Sequence, residues 1–369
     1  MGTQKYDVAA YVWPSYGQGE PRATTFWPEG YGEWQTVRLA QPKFPGHCEP
    51  RKPVWGFVNE SDADVMEMQI NAAVRHGVNV FIYDWYWYDN RPFLEECLNS
   101  GFLGAPNNEQ MKFYLMWANH DVNNLWDKRN SHNLEAQVTW EGFADRAKFE
   151  TICHRVIDKY FHLPNYYKID GKPVFMIFDL YQLLRGFASL DEIKSAFEWF
   201  DAECRRAGFP GVHLQLDIYE NNTARLREGG ELPHIEIAKR LGFESLSNYQ
   251  FCQMTNVKRP YNEVFEDIKQ IWDRHDSQGL TYFPHVSVGW DNNARFVGFQ
   301  DYLMTDNTPA NVEAAMRAAR GYLARHPGQP PLVTVNSWNE WTEGSYLQPD
   351  ALYGYGYLDA IKKVFVEGK

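Results

Sequence analysis

The sequence is short of the marks that define several large protein classes. Its five cysteines, Cys48, Cys97, Cys153, Cys204 and Cys252, are scattered, odd in number and without a Cys-x-x-Cys pair. That spacing excludes a disulfide framework and a zinc cluster, and Cys97, Cys153 and Cys204 read as buried thiols in helical stretches. No His-Glu-x-x-His motif occurs, and His47, His120, His213 and His285 lie far apart, so no metal and no cofactor is expected. A Walker loop and a Gly-x-Ser-x-Gly elbow are both missing. The GYGYL stretch at 354–358 does not follow a strand, which removes it as a phosphate turn.

Long apolar runs are missing too. With no stretch of about 18 apolar residues, no membrane span is expected. The opening MGTQKYDVAAYVW has no basic region followed by an apolar run. The chain therefore reads as soluble: cytoplasmic if complete, periplasmic or secreted if a signal peptide was removed. Basic charge is scarce, with 36 Lys and Arg against 48 Asp and Glu and a net charge of −12. Such a balance disfavours a nucleic-acid partner and suits a neutral or cationic substrate. Oligomeric state is not legible.

Aromatic residues are what the chain has in excess, at 16%, including 14 Trp and 22 Tyr. Tyr and Trp suit ligand surfaces that are partly apolar and partly wet. The 369 residues are enough for one (β/α)8 barrel with insertions. Eight apolar runs read as strands, opening at Asp7, Val78, Lys112, Lys172, Val212, Glu244, Thr281 and Pro331. Amphipathic stretches lie between them at 62–77, 143–161, 190–208, 234–242, 261–275 and 308–327, and a last helix closes the chain. In 62–77 the apolar face is expected to carry Val65, Met68 or Gln69, and Ala72. This alternation predicts an α/β fold, a TIM barrel formed as a single domain over 1–369. The Gly-rich first turn of a doubly wound sheet is absent after Val12. An aromatic loop at 14–61 follows the first strand instead and is expected to wall the barrel mouth.

Barrel enzymes gather their sites at the carboxyl ends of the strands. In this sequence those ends carry Tyr11, Trp85, Tyr86, Trp117, Asn119, His120, Trp290, Asp291, Trp338 and Asn339. Aromatic faces pack on sugar C–H groups, and amides and carboxylates bond hydroxyls, so these ten side chains are the expected substrate contacts. Strand phase favours Trp338 and Asn119 over Tyr86 as inward-pointing groups. The last strand runs into NSWNEWTEG, with Glu340 and Glu343 three residues apart. Two carboxylates about 5–9 Å apart are the usual machinery for cleaving a glycosidic bond. Burial beside Trp338, Asn339 and Trp341 favours one neutral acid next to one ionised base. The competing structural reading has either Glu capping the final helix or facing water.

NSWNEWTEGSYLQPD followed by YGYGYLDAI resembles the C-terminal signature of the WbsX-like, or glycoside hydrolase family 99-like, proteins. GEWQTVRLAQPKFPGHCEPRKP, VMEMQINAAVRHGVNVFIYDWYW, KFYLMWANHD, YYKIDGKPVFMIF and GWDNNAR resemble blocks of the same group in the same order, across nearly the whole chain. The resemblance implies a TIM barrel acting on an oligosaccharide or polysaccharide, cleaving an α-mannoside-like linkage with retention. It implies that Glu340 draws the proton from the sugar 2-hydroxyl and that Glu343 is the general acid/base. Thr342 stands where family 99 usually has His, and His120-Asp121 where WbsX-like proteins more often show Asn-Glu, which leaves the sugar and linkage open. The WbsX label also carries a glycosyltransferase reading, and a non-catalytic glycan-binding barrel is the third.

Overall fold

The computed structural model describes residues 5–219 and 222–368. Its central sheet contains β1 (Asp7–Val12), β2 (Val80–Tyr88), β3 (Lys112–Trp117), β4 (Lys172–Ile177), β5 (His213–Asp217) and β6 (Ser245–Ser247). It continues through β7, in two pieces at Thr281–Tyr282 and His285–Ser287, to β8 (Leu332–Asn336). All neighbours are parallel, in the order 1-2-3-4-5-6-7, and β1 also pairs with β8. The second piece of β7 pairs with β8, so the sheet closes on itself. Pro284 interrupts β7, having no N–H for the ladder. The gap is bridged on both sides, by the Phe283 N–H on the Leu246 carbonyl at 2.9 Å and the Thr334 N–H on the Pro284 carbonyl at 3.1 Å.

The expected barrel is present, with the helices α1 (Ala63–Arg75), α2 (Arg146–Val156), α3 (Leu190–Arg206), α4 (His234–Leu241), α5 (Tyr261–Asp276), α6 (Pro309–Arg325) and α7 (Gly356–Ile361). Helical pieces of the connections that have no counterpart in the sequence reading include a short wide-turn helix at Cys97–Phe102 after β2, and short helices at Leu180–Gly186 after β4 and Phe251–Met254 after β6. Gly101 and Ser100 weaken the amphipathic signal of the first. Side-chain caps set the helix starts. Asp62, Asp145, Ser189 and Thr308 accept from the N–H groups of Asp64, Lys148, Glu192 and Asn311. Of the expected face of α1, Gln69 is buried, while the positions before and after it are shifted by one residue. Met66, Gln69, Ile70 and Ala73 are buried, while Met68 is exposed and Val65 and Ala72 are half-buried. Cys97, Cys153 and Cys204 are buried thiols.

The aromatic loop after β1 is ordered. It forms short turns at Pro14–Tyr16 and Pro21–Thr25 and a one-turn helix at Trp34–Arg38, and it buries Tyr16, Phe26, Trp27 and Trp34. Trp27 lies 6.0 Å from Trp126 of the loop after β3, nearly parallel to it, and Phe26 meets Trp140 edge-on at 5.3 Å. Aromatic contacts of this kind hold the loop down over the barrel mouth. Among the described residues, no helix is long and apolar enough to cross a membrane.

Candidate active site

A cavity of about 180 Å³ opens at the carboxyl ends of the strands. Seven of the eight strands supply its wall: Trp13 and Glu33 follow β1, Asp84 and Tyr86 end β2, His120 and Trp126 follow β3, and Phe178 follows β4. Tyr249, Gln250 and Gln253 come after β6, Trp290 and Arg295 after β7, and Glu340 and Glu343 after β8. Rings and carboxylates thus share one concave surface.

The segment after β8 explains how both glutamates reach it. Asn339 and Glu340 pair antiparallel with Tyr346 and Ser345, closing a tight hairpin around the single turn Trp341–Glu343. Ser337 Oγ accepts the Glu340 N–H at 2.7 Å and donates to the Ser345 carbonyl at 2.6 Å. Gly344 returns the chain at φ +64°, a conformation that L side chains adopt with strain. The indoles point the other way. Trp338 Nε1 donates to Gln69 of α1 at 2.7 Å, and Trp341 stacks on Tyr346 at 3.9 Å and donates to Gln348. They anchor the hairpin in the core and leave the carboxylates to the cavity.

Glu340 and Glu343 are 3% and 8% exposed, and one guanidinium joins them. Arg295 Nη1 donates to Glu343 Oε1 at 2.6 Å, and Nη2 to Glu340 Oε2 at 3.2 Å. Its Nε donates to Glu33 Oε1 at 2.9 Å, and Trp13 Nε1 donates to Glu33 Oε2 at 2.6 Å. The Tyr249 hydroxyl reaches Glu340 Oε1 at 3.1 Å and Asp84 Oδ2 at 2.9 Å. Both Glu340 oxygens are therefore engaged, whereas Glu343 Oε2 is buried without a partner. Burial raises both carboxyls above their ordinary range. The charge of Glu343 adds to the rise at Glu340, while Arg295 opposes it at both. Two buried acids joined by one guanidinium titrate as a pair. Donors lie against both oxygens of Glu340, whereas Glu343 keeps one oxygen, Oε2, without a donor. Burial holds His120 below the usual imidazole range, so it lines the wall as a neutral ring.

Of the ten expected substrate contacts, Tyr86, His120 and Trp290 line this cavity. The others do not. Tyr11 is fully buried in the barrel core, with its hydroxyl on the Asn248 carbonyl at 3.0 Å. Trp85 and Trp117 point outward to the helical layer, Trp85 bonding Glu95 at 2.8 Å and Trp117 packing on Phe149. Asn119 clamps β3 to β4 by donating to the Asp179 carbonyl at 2.8 Å and accepting its N–H at 2.7 Å. Trp338 is anchored as described, and Asn339 ties Trp13 to Glu60. The preference for Trp338 and Asn119 over Tyr86 is thereby reversed: in β2, Asp84 and Tyr86 face the cavity and Trp85 faces away.

Asp291 lines a neighbouring cavity instead, where it accepts from His47 at 2.7 Å and Arg51 at 3.0 Å. Burial pushes its carboxyl up, but those two donors outweigh it and hold the group well below the usual range. Among the described residues, His47, Glu49 and Asp291 gather metal-ligating atoms within 4.8 Å, and Arg51 already bridges the two carboxylates as the local cation. Glu33 and Arg295, central to the observed site, were not singled out as site residues from sequence. Each lies inside a block that carried the family resemblance, GEWQTVR for Glu33 and GWDNNAR for Arg295.

The fold and the cavity define the class: a TIM barrel whose mouth holds a buried glutamate pair in an aromatic-walled pocket. The chain belongs to the family described as Glycosyltransferase WbsX, whose model matches residues 8–361. Proteins named WxcX, from two strains of Xanthomonas campestris pv. campestris, are 26% identical to it over 356 residues. The match covers 93% of this chain and 47% of each relative, so the chain spans about half their length. Among solved structures, an endo-α-mannosidase of glycoside hydrolase family 99 from Bacteroides thetaiotaomicron, bound to Bis-Tris propane, superposes with a TM-score of 0.65 at 12% identity. That match covers 98% of this chain and 96% of the other. A glycoside hydrolase-like protein superposes with a TM-score of 0.63 at 16% identity, covering 99% and 95%. At such identities the likeness is one of fold.

Proposed function

We propose that the protein is a retaining glycoside hydrolase acting on an α-mannoside-like linkage, with the substrate's own 2-hydroxyl as nucleophile. The observation that carries the reading is the unequal hydrogen bonding of two buried glutamates on one guanidinium. Glu340 takes the proton from the 2-hydroxyl while that oxygen closes on the anomeric carbon. Glu343 gives its proton to the departing glycosidic oxygen. In the second step Glu343 takes a proton from water as the water oxygen attacks the anomeric carbon, and Glu340 returns its proton to O2. Two inversions leave the anomeric configuration unchanged, and no enzyme nucleophile is needed. Tyr86, Trp126, Phe178 and Trp290 offer faces for the sugar's C–H groups.

The family description favours a second reading, transfer from a nucleotide sugar. The two separate cleanly. Purified protein is tested against defined mannan, galactan and bacterial glycan fragments, with NMR of the first-formed anomer, with and without nucleotide sugars. The hydrolase reading expects product without a nucleotide sugar, retained configuration, and a loss of about 100-fold or more in Glu343→Gln. Product that forms only with a nucleotide sugar, or an undiminished Glu343→Gln rate, overturns it.

A further inference from the structure

Tyr249 has one O–H and two carboxyl neighbours. Its oxygen lies 2.9 Å from Asp84 Oδ2 and 3.1 Å from Glu340 Oε1. The phenol hydrogen serves one of these contacts. The other is a hydrogen bond only when its carboxyl carries a proton and donates to the phenol oxygen. Two ionised carboxylates at these distances would leave one anion against a lone pair in a buried site, which is costly. The chain Asp84–Tyr249–Glu340 therefore holds one carboxyl proton.

The remaining oxygens assign it. Glu340 Oε2 receives Arg295 Nη2 at 3.2 Å, a cationic donor that favours the ionised form. Asp84 Oδ1 is buried with no partner, a setting that favours the neutral form. We propose that Asp84 is a positioning residue: as a neutral carboxylic acid it donates from Oδ2 to the Tyr249 oxygen and so commits the phenol O–H to Glu340. The surroundings act in the same direction. Asp84 interacts with the acids Glu340 and Glu343 of the β8 hairpin, Asp217 of β5, and the phenols Tyr11 and Tyr86, while Arg295 bonds Glu340 and Glu343 instead. Burial raises the Asp84 carboxyl well above its ordinary range, with Glu343 adding and the Tyr249 bond opposing.

The consequence for catalysis rests on Glu340 being the base toward the 2-hydroxyl. Two fixed donors, Tyr249 and Arg295, then hold Glu340 ionised and oriented, and Asp84 determines that Tyr249 donates in that direction. The reverse arrangement, with Tyr249 donating to an ionised Asp84 and the proton on Glu340, disables the base.

An asparagine amide donates as a neutral acid does, so Asp84→Asn preserves the chain and Asp84→Ala removes it. Infrared spectra of the substrate-free protein near neutral pH, with aspartate 13C-labelled at the side-chain carboxyl, read the proton directly. A carboxylic-acid C=O band that shifts with the label and is lost in Asp84→Asn is expected. An Asp84→Asn spectrum that keeps every labelled band overturns the proposal. In kinetics, Asp84→Asn is expected to keep the wild-type pH profile, with Asp84→Ala down about tenfold in kcat, the effect of one lost hydrogen bond. Equal damage in both variants also overturns it. If the wild type cleaves no glycan, the hydrolase reading fails and the infrared result alone decides for Asp84.

Discussion

Arg295 Nη1 donates to Glu343 Oε1 at 2.6 Å, a bond from the loop after β7 to the hairpin after β8. The same side chain bonds Glu340 and Glu33, so three carboxylates depend on one guanidinium. Asp84 brings the acids lining the cavity to four.

Replacing Arg295 with Met removes the cation that opposes the upward shift of both glutamates. The base then ionises only at higher pH, so the acid limb of the pH–rate profile is expected to move up by about one unit or more. A profile whose acid limb stays in place would show that Arg295 does not govern the pair.

Trp338 and Trp290 are expected to fail in opposite ways. Trp338 is fully buried and bonds Gln69, so Trp338→Ala is expected to cost about 3–5 kcal/mol of stability. The folded fraction should keep a near-normal KM. Trp290 lines the cavity, and Trp290→Ala is expected to raise KM with a smaller change in melting temperature. Thermal melts together with Michaelis–Menten curves distinguish the two, and a Trp338→Ala effect confined to KM would contradict the structure.

Gly344 permits the turn that presents Glu343. A Cβ there would sit 2.7 Å from Arg51 Nη2, on a backbone at φ +64°. Gly344→Ala is expected to lose about 1–3 kcal/mol, from left-handed strain and displacement of Arg51. Denaturant unfolding measures it, and an unchanged midpoint would mean that the loop yields freely.

His285 is buried in the barrel between Thr334 Oγ1 at 3.0 Å and Ser287 Oγ at 2.9 Å. Burial lowers its pKa from 6.5 to about 3. The folded ring stays neutral while the unfolded ring takes a proton below 6.5, so its contribution is fully present above that pH. It is lost on acidification toward 3, at about 1.4 kcal/mol per pH unit. His285→Asn is expected to flatten that part of the stability–pH curve. Parallel curves for the two proteins would remove His285 as a contributor.

The barrel was legible because its signals are local. Apolar runs such as KPVFMIF and LVTVN alternate with amphipathic stretches, and the Asp, Ser and Thr caps stand immediately before the helices they start. The helix Cys97–Phe102 escaped notice because it is short and holds Gly101. Within the site, the glutamate pair was legible because both residues fall on one turn at a strand end.

Composition and spacing by themselves determined that this chain folds into a barrel with Glu340 and Glu343 at its mouth, since hydrophobic period and strand order are properties of neighbouring residues. Only the tertiary structure decided which aromatics enter the cavity, because a shift of one residue in a strand turns a side chain from one face to the other. It also decided the partners of the pair. Arg295 meets Glu33 from 262 positions away, and Tyr249 meets Asp84 from 165. Contacts at that separation exist only once the sheet has closed and its loops have packed over the rim.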